Sequence, residues 1–330
     1  MLLLINIWRL HTNTDSESGK IAQYCLDKNV VAMGWSLCDR HINDSNLQKI
    51  VRREKLKIKT YEDFRALIEK YGIYENSKGK INTNSVARMS KQMQADDLVW
   101  MRLDGIYYIG RCTEDSRYVF DSDDVAEHYD AANQVTNIDW VEIGDESAVP
   151  GAVPVSLIGF STFQRINKDG LREFSQFIYS KKKGVEHYKG VVFNKSIDEF
   201  YTLISPTDCE DLLCMYLYAE KGYICIPSTN KQSTELYECV LVNPKDGKRA
   251  YVQVKEFNAS SEVVNADDYK GLNGEVWFFL HKGTLLNYER NKYPNMYLVD
   301  SVTLFNFAKS AVAKNILPKS ILYWLEFMQS

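Results

Sequence analysis

The chain has 330 residues, 45% of them hydrophobic, enough for two cores of ordinary size. Forty lysines and arginines against 44 aspartates and glutamates give a formal net charge of -4, which argues against a strongly basic, indiscriminate nucleic-acid binder.

Residues 1–166 read as one unit of short alternating strands with several tryptophans and many turn residues. Strands are expected at Leu2–Leu10, Val31–Leu37, Leu98–Leu103, Ile106–Thr113, Val135–Ile143, Val153–Gly159 and Thr162–Ile166, and helices near 18–28, 61–71 and 83–93. Thr60-Tyr61-Glu62-Asp63 spells a capping box for the second helix. Met1-Leu2-Leu3-Leu4-Ile5 lacks a basic leader and is soon followed by charges, so it reads as a first strand and not as a signal peptide or membrane span. Many short strands with few helices predict an α+β unit built on a small β-barrel.

Residues 167–195 read as a connector: a helix over Leu171–Ile178, then the run Lys181-Lys182-Lys183 and Gly184. Residues 196–330 form the second unit. Thr207 with Glu210 fits a capping box, but Pro206 suits the first helical position, which makes Ser205 the cap and Asp208 its partner and leaves Glu210 free to reach a sheet. Gly222 ends that helix. Strands follow at Tyr223–Pro227, Leu236–Val242, Ala250–Lys255, Glu275–Leu280 and about Asn295–Val302, with a turn at Asn243–Gly247 and closing helices at Thr303–Ile316 and Ser320–Met328. Leu236–Val242 is apolar on both faces and reads as a central strand. The pattern is that of an α/β domain with a central mixed sheet flanked by helices.

Alternation along a strand puts Tyr251, Gln253 and Lys255 on one face, with Ala250, Val252 and Val254 behind. Glu238 is a lone carboxylate in an apolar strand, costly unless it is paired or bound to a metal. The order of a helix with Glu210, a strand, a strand with Glu238 and a strand with Gln253-Val254-Lys255 resembles the PD-(D/E)xK nuclease fold, in its Mrr-like restriction endonuclease branch, over roughly residues 200–285. Glu238 stands where that branch commonly carries aspartate. The resemblance implies Mg²⁺, with Mn²⁺ as a substitute, held by Glu238, the Gln253 side-chain oxygen and the Val254 carbonyl. Lys255 would orient or deprotonate the attacking water, and Glu210 would complete the outer shell or a second metal position. Two carboxylates and one neutral amide make a weaker cation trap than three carboxylates, so the dependence on metal is expected in the millimolar range.

In the first unit the phrases Ile7-Trp8-Arg9, Ala32-Met33-Gly34-Trp35, Asp96 to Arg102, Tyr107 to Arg111 and Val149-Pro150-Gly151 together resemble the PUA-like superfamily, close to the EVE group. That resemblance implies an aromatic pocket for an extruded, often modified base. Trp35, Trp100, Trp8 and Tyr108 are its candidate walls, from a pool that includes Tyr107 and Trp140, and Arg102 is a candidate donor. Trp35 leads because Gly34 permits close approach. Arg102 could equally pair with Asp97. Lys49, Arg52 and Arg53, crowded with Lys55, Lys57 and Lys59, are candidate phosphate contacts or a plain solvated face.

The seven cysteines include no Cys-x-x-Cys pair and no histidine at metal spacing, which argues against zinc and for a reducing, cytoplasmic setting. Joined, the two resemblances imply a modification-dependent restriction endonuclease acting on foreign DNA in bacterial defence. A homodimer would let it cut both strands. The alternatives are a non-catalytic reader with a degenerate nuclease fold and an RNA-directed nuclease.

Overall fold

Helix starts follow the capping signals. Thr60 Oγ1 accepts from the Asp63 N–H at 3.2 Å and Asp63 accepts from the Thr60 N–H at 2.9 Å, opening the helix Tyr61–Tyr71. Ser205 and Asp208 exchange the same pair of bonds at 3.0 and 2.9 Å, with Pro206 at the first position of the helix Pro206–Lys221, which ends at Gly222 in the left-handed region. These details come from a computed structural model, which describes residues 5–12, 19–76, 81–159, 161–188, 196–226, 236–256 and 263–329. The chain divides into two compact units, Met1–Lys189 and Gly190–Ser330.

The first unit contains strands β1 (Ile7–Leu10), β2 (Val31–Met33), β3 (Leu98–Leu103), β4 (Ile106–Cys112), β5 (Tyr118–Phe120), β6 (Asn133–Val135), β7 (Ile138–Gly144) and β8 (Phe163–Arg165). They form a five-stranded sheet in the order β7-β4-β3-β1-β8 and a three-stranded sheet in the order β2-β6-β5. Among the described residues the strands thus make two open sheets, and the expected barrel is not closed.

Two local expectations also change. Val153–Gly159 is not a strand: Ala152–Ser156 is a short helix, in which Pro154 falls in the first turn, where no donor is needed. The strand expected over Val31–Leu37 stops at Met33, because Trp35 and Leu37 adopt left-handed φ angles of 67° and 50° that no ladder accommodates. The helix read as part of a connector, Leu171–Lys183, packs on the first unit's large sheet. Its Ser175 Oγ accepts from Trp100 Nε1 at 3.0 Å and its Tyr179 hydroxyl donates to Asp139 at 2.5 Å. Residues 189–195 of that segment lie outside the described residues.

The second unit holds β9 (Ile224–Cys225), β10 (Cys239–Val242), β11 (Arg249–Glu256), β12 (Val263–Asn265), β13 (Glu275–His281), β14 (Thr284–Leu286) and β15 (Met296–Leu298). Its main sheet is mixed, in the order β15-β13-β11-β10-β9, with β11 at the centre, antiparallel to β10 and parallel to β13. The apolar strand β10 is next to the edge rather than central. The helix Pro206–Lys221 buries Cys209, Leu212, Leu213 and Leu217, and its Cys214 thiol lies 3.5 Å from that of Cys239 on β10. The tail is broken into Ser301–Ala308, Ala313–Ile316 and Lys319–Gln329, so the single helix expected over Thr303–Ile316 is two. No helix among the described residues is long and apolar enough to cross a membrane.

Candidate active site

Register brings the residues of the second unit together. Cys239 pairs with Val252 across the antiparallel ladder, and the ladder continues one step further, the Glu238 N–H donating to the Val252 carbonyl at 2.8 Å. Glu238 therefore stands opposite Gln253, and Lys255 is its diagonal neighbour on the same face. Lys255 Nζ donates to Glu238 Oε1 at 2.9 Å, and Gln253 Nε2 donates to the same oxygen at 3.0 Å and to the Val254 carbonyl at 3.2 Å.

The Gln253 amide is fully buried and its oxygen accepts from the Tyr269 hydroxyl at 3.2 Å. So the amide nitrogen, not the expected oxygen, lies between the carboxylate and the carbonyl. A phenol hydroxyl both donates and accepts, so the amide turned end for end would keep Tyr269 as partner and present its oxygen to the Glu238 side. Tyr269 went unnoticed in the sequence, where nothing distinguishes it from the other core tyrosines.

Glu210 couples to this trio through charge. Burial, then repulsion from Glu238 and Asp211, pushes its carboxyl up to about 7, while Lys255 pulls it down. The adjoining Asp211 is raised to about 6 by burial and by Asp208. The group sits at the carboxyl ends of the parallel pair β11 and β13, where open α/β sheets commonly bind ligands. A cleft of about 680 Å³, lined by Arg249, Asn273, Glu275 and Asn295 among others, lies at the opposite ends of those strands and contains none of the four residues.

The base-pocket candidates of the first unit fare unevenly. Trp8 and Trp100, 1% and 0% exposed, are corrected to core residues: Trp8 stacks on Phe163 and donates to Asp97 at 2.8 Å, and Trp100 donates to Ser175. Residue type marks an aromatic but not the face it occupies. We expect Trp100→Ala to cost about 3–5 kcal/mol in denaturant unfolding, and an unchanged midpoint would contradict its place in the core. Asp97 is spent on Asn6, Trp8 and Gln94, while exposed Arg102 lies over the Tyr107 ring at 5.6 Å. Tyr108 is half-buried.

Trp35 is half-buried too, in a loop fixed by bonds from Ser36 N–H to Asp130 (2.8 Å) and from Asn133 to the Gly34 carbonyl (2.7 Å). A side chain at Gly34 would collide with the Asp130 carboxylate, so the close approach that this glycine permits is by a protein side chain. Lys49, Arg52 and Arg53 are all exposed on the helix Ser45–Lys55, Arg52 in an ion pair with Asp39.

Comparisons with protein-family models, with curated proteins and with solved structures find no match.

Proposed function

We propose that the second unit is a Mg²⁺-dependent phosphodiesterase that cleaves DNA, with Mn²⁺ as a substitute ion. In this reading the first unit recognises a modified base, so that the whole chain restricts foreign DNA. The observation that carries the proposal is the direct contact of Glu238, Gln253 and Lys255 beside the charge-coupled Glu210.

The donor set fits a hard divalent cation: a carboxylate, a main-chain carbonyl and a reversible amide lie side by side, all able to offer oxygen. Glu238, the Val254 carbonyl and the reversed Gln253 amide would hold the ion, with Glu210 in support. Such an ion supplies charge neutralisation at phosphate and a more acidic bound water. Lys255, with 41% of its side chain exposed, is tied to Glu238 on one side and can donate to a phosphate oxygen or to the attacking water on the other. Glu210 holds or releases a proton near neutrality, which suits a group that must ionise when a cation arrives. Trp35, Tyr108 and Arg102 remain the accessible candidates for base contact.

The test is cleavage of plain DNA, hydroxymethylated DNA and RNA by the full chain across a Mg²⁺ and Mn²⁺ titration. Cutting of modified DNA is expected to rise through the millimolar range, and full activity in chelator overturns the proposal. One observation favours a second reading, a non-catalytic reader: the Gln253 amide nitrogen satisfies both Glu238 and the Val254 carbonyl, closing the network with no ion. DNA binding without cleavage at any metal concentration would establish that reading, and preference for RNA would reassign the substrate.

A further inference from the structure

Outside that site, one grouping of ligand-type side chains stands out among the described residues: Cys38, His41 and Glu75, whose ligand atoms all lie within 4.8 Å of one another. The geometry arises locally. Cys38 caps a 3₁₀ turn over Asp39–His41, and the His41 N–H donates to the Cys38 carbonyl at 2.9 Å. In a 3₁₀ turn residues three apart eclipse, which brings the thiol and the imidazole to one side. Glu75, just after a second 3₁₀ turn, accepts from the Cys38 N–H at 2.8 Å through Oε1 and faces His41 Nδ1 at 3.3 Å through Oε2.

We propose that Cys38 Sγ, His41 Nδ1 and Glu75 Oε2 form a zinc site, with water in the fourth position. A thiolate, an imidazole and a carboxylate are the ligand types zinc takes, and tetrahedral bonds of about 2.0–2.3 Å set ligand atoms roughly 3.3–3.8 Å apart, a spacing the His41–Glu75 pair already has at 3.3 Å. The surroundings favour a cation. Glu75 is 4% exposed in its side chain, and burial and Asp130 raise its carboxyl. Asp130 and Glu127 place negative charge near Cys38, opposed by Arg40. The nearby lysine, Lys55, is committed to Glu127 and Asp39.

Binding would release the Cys38 thiol proton to solvent, giving up the thiol's 3.3 Å bond to the Glu127 carbonyl, and leave the His41 ring proton on Nε2, where a 3.4 Å contact from Arg40 is lost. His41, at the exposed rim, offers the way in. Outer support is present: the Glu75 oxygen not used for metal stays on the Cys38 N–H, and Asp39 N–H donates to the Glu127 carboxylate. The ion would pin the loop holding Trp35 and Leu37, both of which sit in the left-handed region.

The experiment loads chelator-treated full-length protein with Co²⁺ and then displaces it with Zn²⁺. One equivalent should give a thiolate-to-cobalt charge-transfer band and intense tetrahedral d–d bands, both lost on adding Zn²⁺. His41→Ala, at a surface position, should remove the band with its circular dichroism unchanged. It should weaken Zn²⁺ by more than the roughly 10–100-fold that outer partners cost. Glu75→Gln gives a second check should Cys38→Ser fail to fold. No charge-transfer band, or one that survives His41→Ala because Cys214 and Cys239 supply it, overturns the proposal.

Discussion

Lys255→Ala is expected to slow phosphodiester cleavage by about 10²–10⁴-fold in single-turnover assays while DNA binding changes little. The magnitude is that of a group acting on charge and protons that develop only during the reaction. The structure gives the substitution a benign context before an ion is bound: Gln253 still donates to the Glu238 oxygen that Lys255 leaves, and 41% of the lysine side chain is exposed. Lys255→Met keeps the aliphatic stem and should behave alike in rate, separating loss of charge from loss of packing. Unchanged cleavage in either variant, with folding intact, would mean that the ammonium is only a counter-ion for Glu238.

Glu210→Gln should move stability and activity in opposite directions. Below about 4.5, its ordinary value, the carboxyl is protonated in both folded and unfolded chains and contributes nothing. As pH rises from there to about 7, the unfolded chain ionises first, so the native state loses stability across that window and carries the full penalty above it. An amide removes the penalty, and in chelator at pH 8 the variant should melt higher than the parent. In the parent, apparent Mg²⁺ affinity should increase as pH rises through 7, because the cation competes with a proton for the Glu210 carboxylate. In Glu210→Gln that dependence should flatten while cleavage falls. Thermal melts and metal titrations at pH 6 and 8 measure both, and a variant that melts lower at pH 8 would refute the electrostatic account.

What could be read from the sequence was mostly local. The Thr60–Asp63 and Ser205–Asp208 boxes are legible because each is closed by residues three apart, and the pairing of Asp208 with Ser205 is what leaves Glu210 unclaimed by the cap. The face shared by Gln253 and Lys255 follows from period-two alternation alone. Their contact with Glu238 does not, since it depends on a register set by the intervening turn. Burial is not written in residue type. Trp8 and Trp100 attract notice as stacking rings, yet their indole N–H groups have buried partners supplied by Asp97 and by a helix 75 residues away. The helix Ser45–Lys55, capped by Asp44, was hidden by its charges, because only Leu47 and Val51 mark its apolar side. The expectation of no histidine at metal spacing passes over Cys38 and His41, three residues apart, because Glu75 joins them only through the fold.

That same helix bears on how fast the chain can find a polyanion. Of the six basic residues between 49 and 59, Lys55 is 2% exposed between Glu127 and Asp39, and Arg52, though exposed, is paired with Asp39, which leaves four exposed heads outside these ion pairs. At about 0.9 counterions released per phosphate neutralised, this surface supports a log–log salt slope no steeper than about -4. With a net charge of -4 opposing approach, long-range steering is weak, and encounter rates should respond only mildly to ionic strength. Discrimination would then rest on how long a correct target is retained, a matter of dissociation more than of capture.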